Sequence, residues 1–230
     1  MVHFNKTINL STTAFNCKVV VAFFVYLFMI KKILALIFML SSLNMFSQII
    51  NIEDMNGTRL NGAYYKDINN LLDPYVGTWV YSSPTDTLKI KLRKVIRAPF
   101  INNSFEDLIV GEYQYIKNGV EKINTLNNFN TNYPMQIAHK IDGNSILENH
   151  NIPKCNYCNP NEKRLQLSLV EPISRWGADL NLRLIVINGQ PALEVYKWGT
   201  PPPARVEGDP TTGHANPIIE IGANFIMIKQ

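Results

Sequence analysis

Two cysteines three positions apart, Cys155-Asn156-Tyr157-Cys158, form the sharpest chemical feature of the sequence. In an oxidising compartment two thiols at this spacing most simply join as a local disulfide, fixing the loop before the following strand. A thiol–disulfide exchanger uses the same spacing, with a helix N-terminus lowering the thiolate pKa. Here the pair runs into Asn159-Pro160-Asn161, a turn signal, and no βαβ pattern surrounds it. A zinc centre needs four ligands, so the pair would need two more from His139, His150 and His214. Disulfide is the expected state, with no metal and no cofactor. The third cysteine, Cys17, lies in the leader discussed below.

Other reactive side chains come without a supporting pattern. His139 is expected in a strand, as a surface or satisfied core residue, and His150 and His214 in polar loops. The acidic neighbours Glu53-Asp54 and Glu106-Asp107 fall near strand starts. Adjacent strand residues point to opposite faces, so neither pair makes an acid/base couple, and solvated charge is the expectation. No nucleophile elbow, HExxH helix or phosphate-binding loop occurs. The residues point to a protein that is not an enzyme.

Aromatic residues are the remaining resource. Trp79 and Tyr81, Tyr113 and Tyr115, and Tyr196 and Trp198 each share a strand face by the period of two. Core packing accounts for such pairs. In a closed sheet the same inward rings would line an apolar pocket for a small ligand.

The elements that position these groups are strands. Tyr75–Ser82 is aromatic and β-branched, and Thr87–Val95 alternates Leu88, Ile90 and Leu92 against Lys89, Lys91 and Arg93. Leu108–Ile116 and Val120–Leu126 flank Asn118-Gly119, while Leu180–Ile187 and Ala192–Trp198 flank Asn188-Gly189. Both dipeptides tolerate the positive φ values of a type I′ turn. Gln136–Ile141 and Ser145–Glu148 suggest a short hairpin about Asp142-Gly143-Asn144. Arg164–Val170 and Pro217–Ile228 complete the set, and the proline-rich stretch 199–216 reads as an extended surface loop. Helical spacing is confined to Gly62–Leu72, ended by Asp73-Pro74. Eight to ten strands with hairpin connections predict an all-β fold, an antiparallel barrel ahead of a sandwich, with a short N-terminal helix.

The first 47 residues have a different character. Residues 19–30 and 33–40 are apolar, separated by Lys31-Lys32. As one membrane span, which needs about 20 residues, this segment would place two lysines near its middle, at about 2.5–3.5 kcal/mol each. Read from Met29, it becomes a basic n-region, an apolar h-region and a polar end at Ser41–Ser47, the form of a secretory signal peptide cut at Ser47/Gln48. Residues 1–28 then form an upstream extension, not folded, and 48–230 a single β-rich domain. The four lysines of residues 1–47 have no acidic counterpart there; without them, 18 Lys+Arg face 18 Asp+Glu. A neutral domain gives no electrostatic reason to bind nucleic acid or an anionic membrane. The expected location is periplasmic or secreted, with no membrane anchor after cleavage.

Gly77-Thr78-Trp79 at the start of the first barrel strand, followed by antiparallel hairpins, resembles lipocalin-type barrels. That resemblance implies a basic residue late in the chain packed on the tryptophan, and Lys229 is the basic residue of the last strand. The KK-type leader ending in FSQ, the GTW and the C-terminal Lys-Gln are together similar to small exported proteins of Bacteroidota in families of unknown function. This second resemblance implies a location rather than an activity. The sequence expectation is thus an exported binding domain for a small apolar ligand or a surface protein. A pocketless interaction module and a redox or zinc protein at the CxxC pair are the alternatives.

Overall fold

The computed structural model describes residues 22–37, 48–55, 57–200 and 216–230. The chain divides into two units, 1–47 and 48–230. In the first, residues 22–37 form one α-helix that runs across the 28/29 boundary of the leader reading, with nearly every side chain exposed. Among the described residues no helix is long and apolar enough to cross a membrane. The cleavage position Ser47/Gln48, Cys17, His214 and most of the 199–216 loop involve residues outside the described set.

The second unit is built of strands. In chain order they are β1 (Ile49–Asn51), β2 (Tyr64–Lys66), β3 (Gly77–Ser82), β4 (Asp86–Pro99), β5 (Phe105–Lys117) and β6 (Val120–Asn124). They continue with β7 (Ile141–Leu147), β8 (Arg164–Val170), β9 (Gly177–Ile187), β10 (Gln190–Thr200) and β11 (Asn224–Lys229). Eight of them close into an antiparallel barrel in the order β5-β4-β3-β11-β10-β9-β8-β7, with β7 returning to β5. The long β5 makes closure possible. One of its edges pairs with β4 throughout, and the other is divided among β2 at Phe105–Glu106, β7 at Ile109–Gly111 and β6 at Gln114–Lys117. Strands β1, β2 and β6 therefore lie outside the barrel.

The two type I′ signals fold as read: Asn118 and Gly119 take φ of 51° and 75°, and Asn188 and Gly189 take 51° and 77°. The short hairpin expected about Gly143 does not form. Residues 141–147 are one strand with a register shift between Asp142 and Ser145. Gly143 is there for closeness rather than for a turn: a Cβ on it would stand 3.0 Å from the Gln166 carbonyl oxygen and 3.2 Å from Leu167 Cα. The helical spacing at 62–72 gives way as well. Tyr64–Lys66 pairs in parallel with β1, and Asp67 accepts the backbone N–H groups of Leu71 and Leu72, holding the chain in turns. The helix that does form, at 22–37, lies in the leader segment rather than at 62–72.

Alternation decides what fills the barrel. Trp79, Ile90, Leu92, Tyr113, Tyr115, Leu167, Leu180, Leu182, Leu193 and Met227 all point inward and are buried. The Trp79 indole N–H donates to the Tyr75 carbonyl at 2.8 Å, so this large ring is satisfied within the core. The ring of Lys229's cross-strand partner is Trp79 itself, and Lys229 Nζ sits over it at 5.0 Å.

The outer face of β4 and β5 is covered by the segment after β6. Leu108, Val110 and Ala98 form a second small apolar cluster there. Arg93 donates to the carbonyls of Phe129 and Thr131, and the buried His139 ring lies 2.8 Å from Glu112 Oε1 and 3.1 Å from the Thr131 carbonyl. His139 therefore follows a 3-10 turn rather than sitting in a strand, and ties that segment to the barrel wall.

Candidate functional site

The barrel has no lumen to offer. The space enclosed by Trp79, Ile90, Leu92, Ile141, Leu167 and their neighbours is about 10 Å³, at or below what a single water needs. Trp79, Tyr113 and Tyr115 are wholly buried in this packing, and Tyr81 packs edge-on against Phe225 with ring centroids 5.2 Å apart. The pocket expected of the inward aromatics is filled by the aromatics themselves and by leucines from β8, β9 and β10.

Tyr196 and Trp198 belong to the opposite face. On β9 and β10 the residues between core positions point outward, and register sets Arg183 beside Glu194, Asn181 beside Tyr196 and Asp179 beside Trp198. Trp198 is half exposed. Tyr196 lines a groove of about 510 Å³ on the outside of β8–β11 together with Arg164, Asn181, Arg183, Glu194 and Asn224. Its far wall is the loop carrying Pro153, Lys154, Cys155 and Tyr157.

That wall is where the cysteine pair acts. Cys155 and Cys158 form a disulfide with Cα atoms 5.4 Å apart. The Cys155 N–H donates to the Asn149 carbonyl, and Asn149 Nδ2 donates to the Asn159 carbonyl at 2.8 Å. The loop is thus folded back on its own base. It is joined to the barrel by the Arg183 guanidinium, whose Cζ lies 5.3 Å from the Tyr157 ring centroid. A turn, not a helix, follows the pair, so no helix N-terminus bears on either sulfur. Among the described residues no cluster of three or more His, Cys, Asp or Glu is placed to hold a metal ion. His150 is exposed, 3.4 Å from Glu148, as a loop histidine was expected to be.

Electrostatics within the groove are uneven. Arg183 is committed: its Nε lies 2.6 Å from Glu162 Oε1 and its Nη1 3.3 Å from Glu194 Oε2. The Arg183 hydrogen bond in turn holds the Glu162 carboxyl below its usual range. Arg164 donates from Nη2 to the Glu148 carbonyl at 2.8 Å, while its Nε has no hydrogen-bond partner among the described residues. Neither Nδ2 nor Oδ1 of Asn181 has one either. Arg164 is only 5% exposed and Asn181 4%. All three atoms are shielded from solvent, so they are buried in the wall rather than open to the groove.

A second, shallower hollow of about 280 Å³ adjoins it across the Gln166–Asn181 pair. Asp142, Asp179 and Glu106 line it with Arg59, and burial pushes the Asp142 carboxyl up to about 7. The pair Glu106-Asp107 corrects the expectation of solvated charge. Both are buried, on opposite faces of β5: Glu106 pairs with Arg59 and Asn144, while Asp107 accepts from Tyr64 Oη and the backbone N–H groups of Asp67 and Arg97. Glu53 is part-buried against Asn51 and Lys163, and Asp54 is exposed.

A family model covers residues 29–230, nearly the whole chain. The chain belongs to DUF6705, a family of unknown function. No curated protein and no solved structure matches it. What the DUF6705 barrel does must therefore be argued from its own groove. Sequence reading missed Arg164, Asn181, Arg183 and Glu194 because polar residues alternating with leucines read as an ordinary wet face. The available signal was an asparagine and arginines on strands next to a disulfide loop.

Proposed function

We propose that this is an exported, non-enzymatic binding domain whose ligand is polar and sits in the outer groove of β8–β11, not in the barrel. The observation that carries this reading is the polar lining of that groove, with Arg164, Asn181, Arg183, Glu194, Tyr196 and Asn224 facing a loop pinned by the disulfide. The groove's volume of about 510 Å³ falls within the range of pockets for small molecules, about 300–1,000 Å³. The filled lumen argues against an apolar ligand there.

Export is supported by the n-region and h-region after Met29, by the neutral charge of 48–230 and by the disulfide. The non-enzymatic part of the reading rests on the site's composition. The groove's side chains donate and accept hydrogen bonds, and no nucleophile stands beside a base within it.

Saturation-transfer NMR on the 48–230 domain, with a mixture of polar metabolites in one tube and palmitate in another, tests the reading. Signals from polar compounds that vanish in Asn181→Asp are the expected result. Palmitate binding accompanied by a change in Trp79 emission, or no polar signal at all, would overturn it.

A further inference from the structure

Leu193 and Val195 of β10 point into the core, and the same alternation carries Lys197 inward at one end of the barrel. Its cross-strand partner is the core residue Leu180. There Lys197 lines a cavity of about 190 Å³ with Leu169, Trp176, Ala178, Pro217 and Ile219. Two charged side chains hold one lip of this cavity. Glu171, buried, accepts the Ile218 and Ile219 N–H groups at 2.8 Å each, and also the Ser174 hydroxyl. Lys197 Nζ donates to the Ile219 carbonyl at 2.9 Å. The lining is otherwise apolar, so an amine stands in a small dry pocket beside one carboxylate.

An ammonium has three N–H donors. Lys197 uses one, on Ile219, and has no other hydrogen-bond partner among the described residues. Burial pushes its amine below the usual range, with the Glu171 carboxylate opposing the shift. Lysines desolvated in apolar pockets are the amines that attack carbonyl carbon. We propose that this cavity captures a small aliphatic aldehyde as a Schiff base on Lys197. The ammonium gives one proton to water, the Nζ lone pair bonds to the carbonyl carbon, and the C=O π pair moves to oxygen. That oxygen takes back the proton and a second one from nitrogen, and leaves as water while the nitrogen pair closes the C=N bond. An ammonium and an aldehyde become an iminium and a water, with charge conserved and nothing oxidised or reduced. The iminium keeps a single N–H, which matches the one acceptor at Ile219, and its positive charge stays beside Glu171. A carboxylate ligand fits less well, because it would bring a second anion next to Glu171. The cavity's 190 Å³ is several times a water's share of about 30 Å³, the room of a chain of about four to six carbons. This site is separate from the outer groove, and neither reading depends on the other.

Peptide mapping of the 48–230 domain, a compact unit of its own, after brief treatment with pentanal and cyanoborohydride tests the proposal. The reductant serves only to trap the imine as a stable amine. Lys197 should be alkylated about ten-fold faster than the exposed Lys66 and Lys122. Glyceraldehyde, an aldehyde too polar for the lining, should show no such preference. In intact-mass kinetics the fast phase should be absent from Lys197→Arg, which keeps a donor for Ile219 but has no nucleophilic amine. The mapping on the wild-type domain stands whether or not that variant folds. A rate at Lys197 equal to or below those of the other two lysines would overturn the proposal. So would glyceraldehyde labelling Lys197 as selectively as pentanal. Pentanoate suppressing the labelling when present at the concentration of pentanal would mark the cavity as an anion site and overturn the aldehyde as its ligand.

Discussion

Lys229 Nζ lies 5.0 Å above the centre of the Trp79 ring, and the stem of the same lysine passes over Gly77. Gly77 has φ of 138°, a backbone region that L side chains rarely adopt, and a Cβ there would come within 2.8 Å of Lys229 Cε. The three residues are thus one device: the glycine makes room, the lysine lies down in it, and the cation caps the core tryptophan where β3 meets β11. Gly77→Ala should cost about 1–3 kcal/mol from backbone strain alone, read as a lowered urea midpoint. Adding Lys229→Ala to that variant removes the clash but not the strain, so it should recover only part of the loss. Lys229→Ala alone should cost about 0.5–2 kcal/mol, the range of a cation–π contact.

Asp142 offers a pH-dependent test. Its carboxyl is raised to about 7 by burial beside Asp179, Glu106 and Arg59, against about 3.9 in an unfolded chain. Between these values the folded protein holds a proton that the unfolded chain has released. Stability therefore falls as pH rises from about 4 to 7, and the full penalty is present above 7. Asp142→Asn should thus leave stability unchanged near pH 4 and raise it by up to about 4 kcal/mol at pH 8. Thermal unfolding of both proteins across that range measures the difference. A variant equally stabilised at both ends would show that burial of the charge is not the cause.

The Glu112–His139 pair should behave as a buried unit. Glu112 Oε2 already lacks a partner, and Oε1 is held by the His139 ring. His139→Ala should therefore cost about 3–5 kcal/mol, as when one member of a buried pair is removed. Glu112→Gln in the same background should soften that loss, because a neutral amide is cheaper to strand than a carboxylate. A double-variant cycle in urea reads the coupling.

Removing the disulfide should affect the groove more than the fold. Cys155 and Cys158 enclose a loop so short that cross-linking it contributes about 2 kcal/mol or less. Cys155→Ser with Cys158→Ser should lower the melting temperature by only a few degrees, on the order expected for that loss. Affinity of the groove ligand should drop several-fold because Tyr157 and Lys154 lose their fixed wall. A chain that fails to fold without the bridge would contradict this division.

The barrel was legible where one physical rule dominated. Alternation of Leu165, Leu167 and Leu169, or of Leu88, Ile90 and Leu92, needs only a sheet with one dry side, and the Asn-Gly turns need only positive φ. It misled where tertiary contact overruled local pattern. Gly143 resembles a turn residue, but the approach of Gln166 and Leu167 explains it; the 62–72 spacing resembles a helix, but Asp67 and the edge of β1 capture it. The site was less legible still. An arginine and an asparagine on an outward register look solvated until the loop ahead of β8 covers them, and nothing local announces that the 150–159 loop turns back over β8 and β9. Trp79, Tyr113 and Tyr115 share an inward face, but whether an inward face is a core or a pocket depends on the volume of every strand at once.

One further consequence concerns the order of events in folding. Strand β11 joins β3 to β10, and its pairing with β3 rests on two residue pairs, Ile228 with Val80 and Lys229 with Trp79. Roughly 150 residues separate the partners, so this seam carries the largest loop-closure cost of the barrel. Until it forms, β3 and β11 each present a bare edge, open to pairing with another copy. The hairpins can assemble early and locally, but the molecule passes through a state with two sticky margins before its ring is shut. A chain cut before residue 224 would stay in that state, and its fate would be decided by concentration rather than by sequence.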